Sequence, residues 1–146
     1  MSGTTKVHFD GFAGLPAQRD ENVHSEEFTC LGNYWNLQIY PGGDTDAEEG
    51  MVSVYLWNMS CKKVNIYLGF SVKDCIDNEM TSNTFAPIDE TGCHSWGEAN
   101  FAMRSIVMES LVDGALVIVV CLKLVDRTKP FIPENPSCKI IRHVYG

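Results

Sequence analysis

Short segments in which apolar and polar residues alternate recur along the chain, and they predict β-strands. Between residues 34 and 40 one register holds Trp35, Leu37 and Ile39, whereas the other holds tyrosine and amide side chains. Because successive side chains of a strand point to opposite faces, this pattern predicts a strand with one buried face. Similar strand patterns mark residues 6–12, 26–32, 50–59 and 63–72.

The segment ALVIVVCLKLV, residues 115–125, is apolar at nearly every position. A strand that is buried on both faces has this composition, so we expect it at the centre of a sheet. Gly, Pro, Asp and Asn separate the predicted strands at fairly even spacing, which is typical of an antiparallel sandwich or barrel. The sequence therefore predicts an all-β fold. Residues 99–115 are ambiguous, because they fit either a short helical turn or two brief strands.

The C-terminal segment has a different composition. It carries three prolines between residues 130 and 136, and these exclude a central strand. The apolar residues between positions 140 and 144 have helical spacing. We therefore predict one domain at residues 1–127, followed by a linker and the start of a helix at residues 128–146.

Charge and hydropathy narrow the possible partners. The formal net charge is −8, which argues against binding to nucleic acid or to anionic membranes. The longest apolar run is too short to span a bilayer, and the N-terminus lacks a signal-peptide pattern, so we expect a cytoplasmic or nuclear protein. In that setting the six cysteines, none in a C-x-x-C motif, are expected to be reduced and mostly buried.

Two neighbouring segments are specific enough to indicate a family. Residues 25–43 read SEEFTCLGNYWNLQIYPGG, and residues 52–60 read VSVYLWNMS. Together they closely resemble the MATH domain, the meprin and TRAF homology or TRAF-C fold. The later segment SWGEANF also resembles a family motif, and the resemblance covers roughly residues 6–126. The residues that match the family pattern are Ser25, Phe28, Gly32, Trp35, Leu37, Ile39, Tyr40, Pro41, Gly43, Val52, Ser53, Val54, Tyr55, Leu56, Trp96, Gly97 and Phe101.

The resemblance implies an eight-stranded antiparallel β-sandwich with a shallow groove for extended peptides, and it implies neither catalysis nor a cofactor. Residues 132–146 are similar to the linker between a MATH domain and a BTB domain in ubiquitin-ligase adaptors of the speckle-type POZ kind. The implied function is recruitment of substrates to a cullin-RING ubiquitin ligase, with the cullin bound through a BTB domain. The alternatives are a TRAF-like domain that binds receptor tails and a targeting domain of a larger ubiquitin-pathway enzyme.

Positions of the family's aromatic groove carry over to five residues of this chain. Three of them, Leu68, Asn83 and Glu98, replace aromatic side chains that the speckle-type POZ proteins have. A groove that contains Glu98 favours a basic or hydrogen-bond-donating ligand group and repels phosphate. The predicted peptide-binding residues are Tyr55, Leu68, Asn83, Trp96 and Glu98.

The sequence pattern leaves a structural alternative open for three of these residues. Tyr55 alternates with apolar neighbours, so it faces away from the core and is either a groove residue or ordinary sheet surface. Leu68 has the register of Ile66 and Phe70, which favours the core. Trp96 lies in a segment with flanking glycines that reads as a loop, where it either anchors a ligand or caps the sandwich.

Two further clusters are interpreted as structural. The acidic residues between positions 44 and 49 lack the spacing of a calcium loop, so we expect a solvated hairpin tip. Cys93 and His94 are the only adjacent Cys and His, and no other metal ligand lies near them in the sequence. Neither cluster predicts a metal site or a catalytic site.

Overall fold

A computed structural model describes residues 2–60, 64–72, 83–84, 88–90 and 95–124 of the chain. These residues form ten strand segments, one short helix and one 3-10 turn at Phe12–Gly14. The helix, α1, spans Arg104–Glu109. The strands are β1 (Ser2–Phe9), β2 (Val23–His24), β3 (Phe28–Cys30), β4 (Asn33–Tyr40), β5 (Met51–Asn58), β6 (Val64–Val72), β7 (Asn83–Thr84), β8 (Ile88–Glu90), β9 (Ser95–Met103) and β10 (Leu116–Leu124).

The strands form two antiparallel sheets. In one sheet the order is β1-β10-β6-β7, and β8 also pairs with β6; in the other it is β2-β4-β5-β9, and β3 also pairs with β4. The short segments β2 and β3 pair with different residues along the same side of β4. In the other sheet, β7 and β8 pair in the same way with one side of β6. Each sheet therefore has four strand positions, which confirms the predicted eight-stranded antiparallel β-sandwich.

The core lies between the two sheets. Trp35, Leu37 and Ile39 are fully buried there, as their alternation predicts. The indole N–H of Trp35 donates to the carbonyl of Cys30 at 2.9 Å, so this large side chain is buried without an unpaired polar group. The rings of Phe70 and Phe101 meet edge to face across the core, with centroids 6.1 Å apart.

The predicted central strand is confirmed at β10. It pairs with β1 on one side and with β6 on the other. Side chains on both faces of β10 are buried, for example Ile118 on the inner face and Val119 on the outer face. Burial on both faces is the physical reason for the unbroken apolar composition of this segment.

Contacts between the two sheets show which edge of one sheet lies over which edge of the other. The backbone of Gly3 in β1 lies against Cys30 in β3, so close that a Cβ atom at Gly3 would be 2.6 Å from the Cys30 Sγ. The contact of Phe70 with Phe101 joins β6 to β9. The edge at β1 therefore faces β2 and β3, whereas β7 and β8 lie on the side of the sandwich where β9 is located.

Two sequence predictions need correction here, and three others fall on residues outside the described ranges. Trp96 belongs to strand β9 and not to a loop, because residues 95–103 pair with β5. Cys121 is disulfide-bonded, whereas Cys30 is free, so the prediction of reduced cysteines is wrong at Cys121. The ambiguous segment 99–115 contains the end of β9 and then α1. The boundary at residue 127, the predicted linker and helix at 128–146, and Cys93 and His94 lie outside the described residues.

Strands β5 and β9 approach each other closely at Gly97. A Cβ atom added there would lie 1.9 Å from the carbonyl oxygen of Val54 and 2.7 Å from the Cα of Tyr55. Both of these are backbone atoms, which cannot turn away as the end of a long side chain can. Only glycine therefore fits this position without a shift of one strand.

We expect Gly97→Ala to lower the free energy of unfolding by about 2 kcal/mol, the usual cost of overpacking a closely packed position. Chemical denaturation of both proteins measures the difference. Gly14→Ala is the matched control, because a Cβ atom there meets no atom within 4 Å. An equal effect of the two substitutions would contradict the close approach of β5 and β9.

Candidate functional site

Strand β9 lies at an edge of its sheet. Among the described residues it pairs only with β5, so the backbone groups on its other side have no partner strand there. An edge strand presents a row of N–H and C=O groups that can pair with an added strand. The edge of β9 is therefore a place where this sheet can accept a further chain.

Trp96 and Glu98 lie on the inner face of β9. In the antiparallel register Trp96 is opposite Leu56 and Glu98 is opposite Val54. Directly opposed residues share a face, and both partners on β5 are fully buried. Trp96 and Glu98 are themselves only half-buried, and Trp96 packs against the core cluster. The structure thus brings these two predicted site residues together at the margin of the sandwich.

Tyr55 lies on the opposite, outer face of the same sheet. It is opposite Gly97 on β9 and Gln38 on β4. Because Gly97 has no side chain, the tyrosine ring lies beside the β9 backbone. A Cβ atom at residue 97 would be 2.8 Å from the Cδ1 atom of Tyr55. Tyr55 and Trp96 therefore do not share one face, although only one strand spacing separates them.

The two remaining predicted residues belong to the other sheet. Leu68 on β6 is 0% exposed and is part of the core, as its register favours, so it presents no surface to a ligand in this structure. Asn83 begins β7 and pairs through its backbone with Phe70. Its strand lies on the side of the sandwich that carries β9. The role of Asn83 in binding stays a prediction.

Loop 41–50 folds back against the outer face of the sheet, which the sequence pattern does not reveal. Asp44 is only 8% exposed, so the predicted solvated tip is wrong for this residue, although Asp46, Glu48 and Glu49 are exposed. The hydroxyl of Tyr55 donates to the Asp44 carboxylate. The backbone N–H of Asp44 donates to the Ser53 hydroxyl at 3.1 Å.

Further hydrogen bonds connect this loop to β9 and to Arg19. The Ser53 hydroxyl donates to the carbonyl of Ala99 at 2.6 Å, which links the loop contact to β9. The backbone N–H of Glu48 donates to Asn100 Oδ1 at 2.7 Å. Arg19 Nη1 donates to the carbonyls of Asp44 and Ala47, each at 2.7 Å. The loop is thus part of the rigid surface next to the β9 edge.

The environment of Tyr55 keeps its hydroxyl protonated. Burial raises the pKa of Tyr55, and the hydrogen bond to Asp44 and the negative charge of Asp44 raise it further. The pKa of Tyr40 is also raised, first by burial and then by the charges of Asp20 and Asp44. The two tyrosine rings meet edge to face at 5.8 Å. This pair therefore supplies aromatic surface and a neutral hydrogen-bond donor, and it supplies no base near neutral pH.

A polar and aromatic arrangement continues along the outer face beyond Tyr55. The indole N–H of Trp57 donates to Gln38 Oε1 at 2.8 Å, which fixes the indole ring on the sheet. His24 Nδ1 is 3.1 Å from Asn36 Oδ1, and its ring lies 6.3 Å from the Trp57 ring. These contacts hold flat aromatic groups in fixed positions on the surface.

The described part of the chain lacks both a metal-binding cluster and a membrane-spanning helix. No group of three or more His, Cys, Asp or Glu side chains in this part of the chain is arranged to hold a metal ion. Over the same residues, no helix has both the length and the apolar character needed to cross a membrane.

We expect Tyr55→Phe to reduce the free energy of unfolding by about 1.5 kcal/mol, since a hydrogen bond to a charged group is removed and the Asp44 carboxylate keeps only the backbone N–H of Asp46 as a donor. Thermal and chemical denaturation measure this change. Tyr34→Phe serves as the control, because Tyr34 is 54% exposed and its removal leaves no carboxylate without a donor. Equal stability of the two variants would show that the Asp44 contact contributes nothing.

Comparison with known proteins supports the fold and identifies the family. No curated protein matches this chain in sequence. Among solved structures, the TRAF5 of Notothenia coriiceps is similar with a TM-score of 0.59 and 14% sequence identity, over 90% of this chain and 77% of that chain, a likeness that shows the fold alone. A sequence model described as the MATH domain matches residues 5–122, well over half of the chain. The protein therefore belongs to the MATH domain family, whose members are generally protein-interaction domains.

Proposed function

We propose that this domain binds an extended segment of a substrate protein by adding it as a strand to the edge of β9. The observation that carries the proposal is the edge itself, which pairs only with β5 among the described residues and bears Trp96 and Glu98. In strand addition, main-chain hydrogen bonds supply affinity and pockets for alternate side chains supply specificity. The membership in a protein-interaction family agrees with this mode of binding.

An added strand explains how residues on two faces of one sheet can serve a single ligand. Side chains of the bound segment alternate between the faces. Those that point inward reach Trp96 and Glu98, and those that point outward reach the ring of Tyr55 across Gly97, where no side chain intervenes. The Tyr55 hydroxyl is engaged with Asp44, so the ligand contacts the ring and not the hydroxyl.

Glu98 sets the charge preference of the inner positions. Its carboxylate is half-exposed at the edge and lies beside Trp96. A positive ligand group at contact distance gains about 1 kcal/mol in a water-filled site, and a phosphate loses a similar amount. The domain is therefore proposed to select basic or hydrogen-bond-donating segments.

The wider role that we propose is that of a substrate receptor for a cullin-RING ubiquitin ligase in the cytoplasm or nucleus. This rests on the resemblance of residues 132–146 to the segment that precedes a BTB domain. In such an adaptor the domain performs no chemistry. It raises the local concentration of the substrate near the ligase, because a tethered site converts a bimolecular encounter into an intramolecular one.

We expect Glu98→Lys to weaken basic peptide ligands about tenfold, because an attractive charge becomes a repulsive one. The ligands are selected from a randomised library of extended peptides against the unmodified domain, and fluorescence anisotropy measures their affinity. The matched control is Glu109→Lys on α1, which makes the same charge change at an exposed position on another element.

Two results would contradict the proposal. One is a selected set of peptides without basic residues whose affinity is the same for both variants. The other is an equal loss of affinity in Glu98→Lys and Glu109→Lys, since this would reflect net charge and not a contact at β9.

A further inference from the structure

A second concave site lies at the end of β9, apart from its edge. It is a cleft of about 510 Å³, lined by Arg19, Gly42, Glu49, Gly50, Met51 and Arg104. Arg104 is the residue that directly follows β9 and begins α1, whereas Arg19 comes from the segment before β2. The fold thus brings two guanidinium groups from distant parts of the sequence to one cleft.

Each guanidinium group is held by neutral partners. Arg104 Nη1 donates to the carbonyl of Pro41 at 2.8 Å, and its Cζ atom lies 5.0 Å from the centroid of the Phe12 ring. Arg19 Nη1 donates to the carbonyls of Asp44 and Ala47. These contacts fix the positions of the guanidinium groups through neutral carbonyl oxygens and, at Arg104, an aromatic ring.

The hydrogen-bond capacity of both side chains is only partly used. A guanidinium group has five N–H donors. The bonds of Arg19 and of Arg104 within the described residues all start from Nη1, and neither side chain forms an ion pair there. Within the described residues, the Nε and Nη2 groups of both arginines therefore have donors that no hydrogen bond uses.

Positive charge is scarce elsewhere in the described part of the chain. The lysine and arginine residues there are Lys6, Arg19, Arg104 and Lys123, so two of four line this one cleft. The chain as a whole has a formal net charge of −8, which repels anions in general. A place where an anion is attracted is an exception on such a surface.

We propose that the cleft binds the oxyanion of an acidic or phosphorylated side chain of a protein partner. Planar guanidinium groups match the two oxygens of a carboxylate or phosphate, and two of them in fixed positions reduce the entropy lost on binding. Gly42 and Gly50 line the cleft without side chains that would fill it. Glu49 is the only carboxylate among the lining residues, and its negative charge limits the affinity for an anion.

Titration of the ¹⁵N-labelled domain with inorganic phosphate, and separately with acetate, tests this site. The readout is the NMR shift of the arginine Nε–H signals, which does not depend on peptide binding at β9. We expect saturable shifts at Arg19 and Arg104 with both anions. A tighter response to phosphate would indicate a phosphorylated partner, and a comparable response to acetate an acidic one.

Three variants make the titration specific. Arg19→Gln should weaken phosphate binding at least tenfold, because one of the two guanidinium groups is lost. Glu49→Gln should tighten it severalfold, because the repelling carboxylate becomes neutral. Lys6→Gln is the control for net charge, since it removes one positive charge from an exposed residue of β1 outside the cleft, and its affinity should equal that of the unmodified domain.

The proposal is overturned if phosphate causes no saturable shift at either arginine in the unmodified domain. It is also overturned if Lys6→Gln and Arg19→Gln weaken binding equally. Dispersion of the amide signals shows whether each variant is folded. Should Arg19→Gln fail to fold, the unmodified domain and Glu49→Gln still decide the question, because unchanged affinity after removal of the Glu49 charge contradicts an anion in this cleft.

Discussion

The pairing of β9 with β5 is the constraint on which the candidate site depends. It requires that the two backbones approach closely at Gly97, where a Cβ atom would collide with Val54. The register that results places Trp96 opposite Leu56 and Tyr55 opposite Gly97. One strand pair therefore fixes an indole at the inner margin and a phenol ring on the outer face. Between them lies the edge of β9 that pairs with no other strand in the described part of the chain.

The loop at residues 41–50 stabilises this arrangement from the outside. The Asp44 carboxylate accepts a hydrogen bond from the Tyr55 hydroxyl, and Ser53 bridges the loop to the Ala99 carbonyl of β9. A ring that is held by its own hydroxyl loses little further freedom when a ligand covers it, which lowers the entropic cost of binding. Arg19 and Arg104 anchor the same loop through carbonyl oxygens, so the loop connects the β9 edge with the cationic cleft.

Alternation predicts the long strands because a sheet with one buried face imposes a period of two. This holds for Trp35 on β4, for the outward position of Tyr55 on β5 and for the burial of Leu68 on β6. The unbroken apolar run likewise predicts the central position of β10. The antiparallel all-β fold is therefore predictable from local patterns, whereas the number of strands and the family are expected from the resemblance of residues 25–43 and 52–60 to the MATH domain.

The features that escape prediction all depend on contacts between distant residues. Gly97 and Glu98 interrupt the alternation of β9, so the segment reads as a loop until its pairing with β5 is known. Asp44 looks like part of a solvated acidic turn, and only its contacts with Tyr55 and Ser53 explain its burial. The disulfide bond of Cys121 likewise depends on spatial proximity, which cysteine spacing does not give.

Amide hydrogen exchange shows whether a bound peptide adds as a strand to the edge of β9. The full chain is measured free and saturated with a peptide selected from a randomised library. If the peptide adds as a strand, exchange slows for amides within residues 95–103, because new backbone hydrogen bonds cover the edge of β9. Protection confined to the opposite side of the sandwich, at β1, β2 and β3, with unchanged exchange along β9, would contradict strand addition at β9.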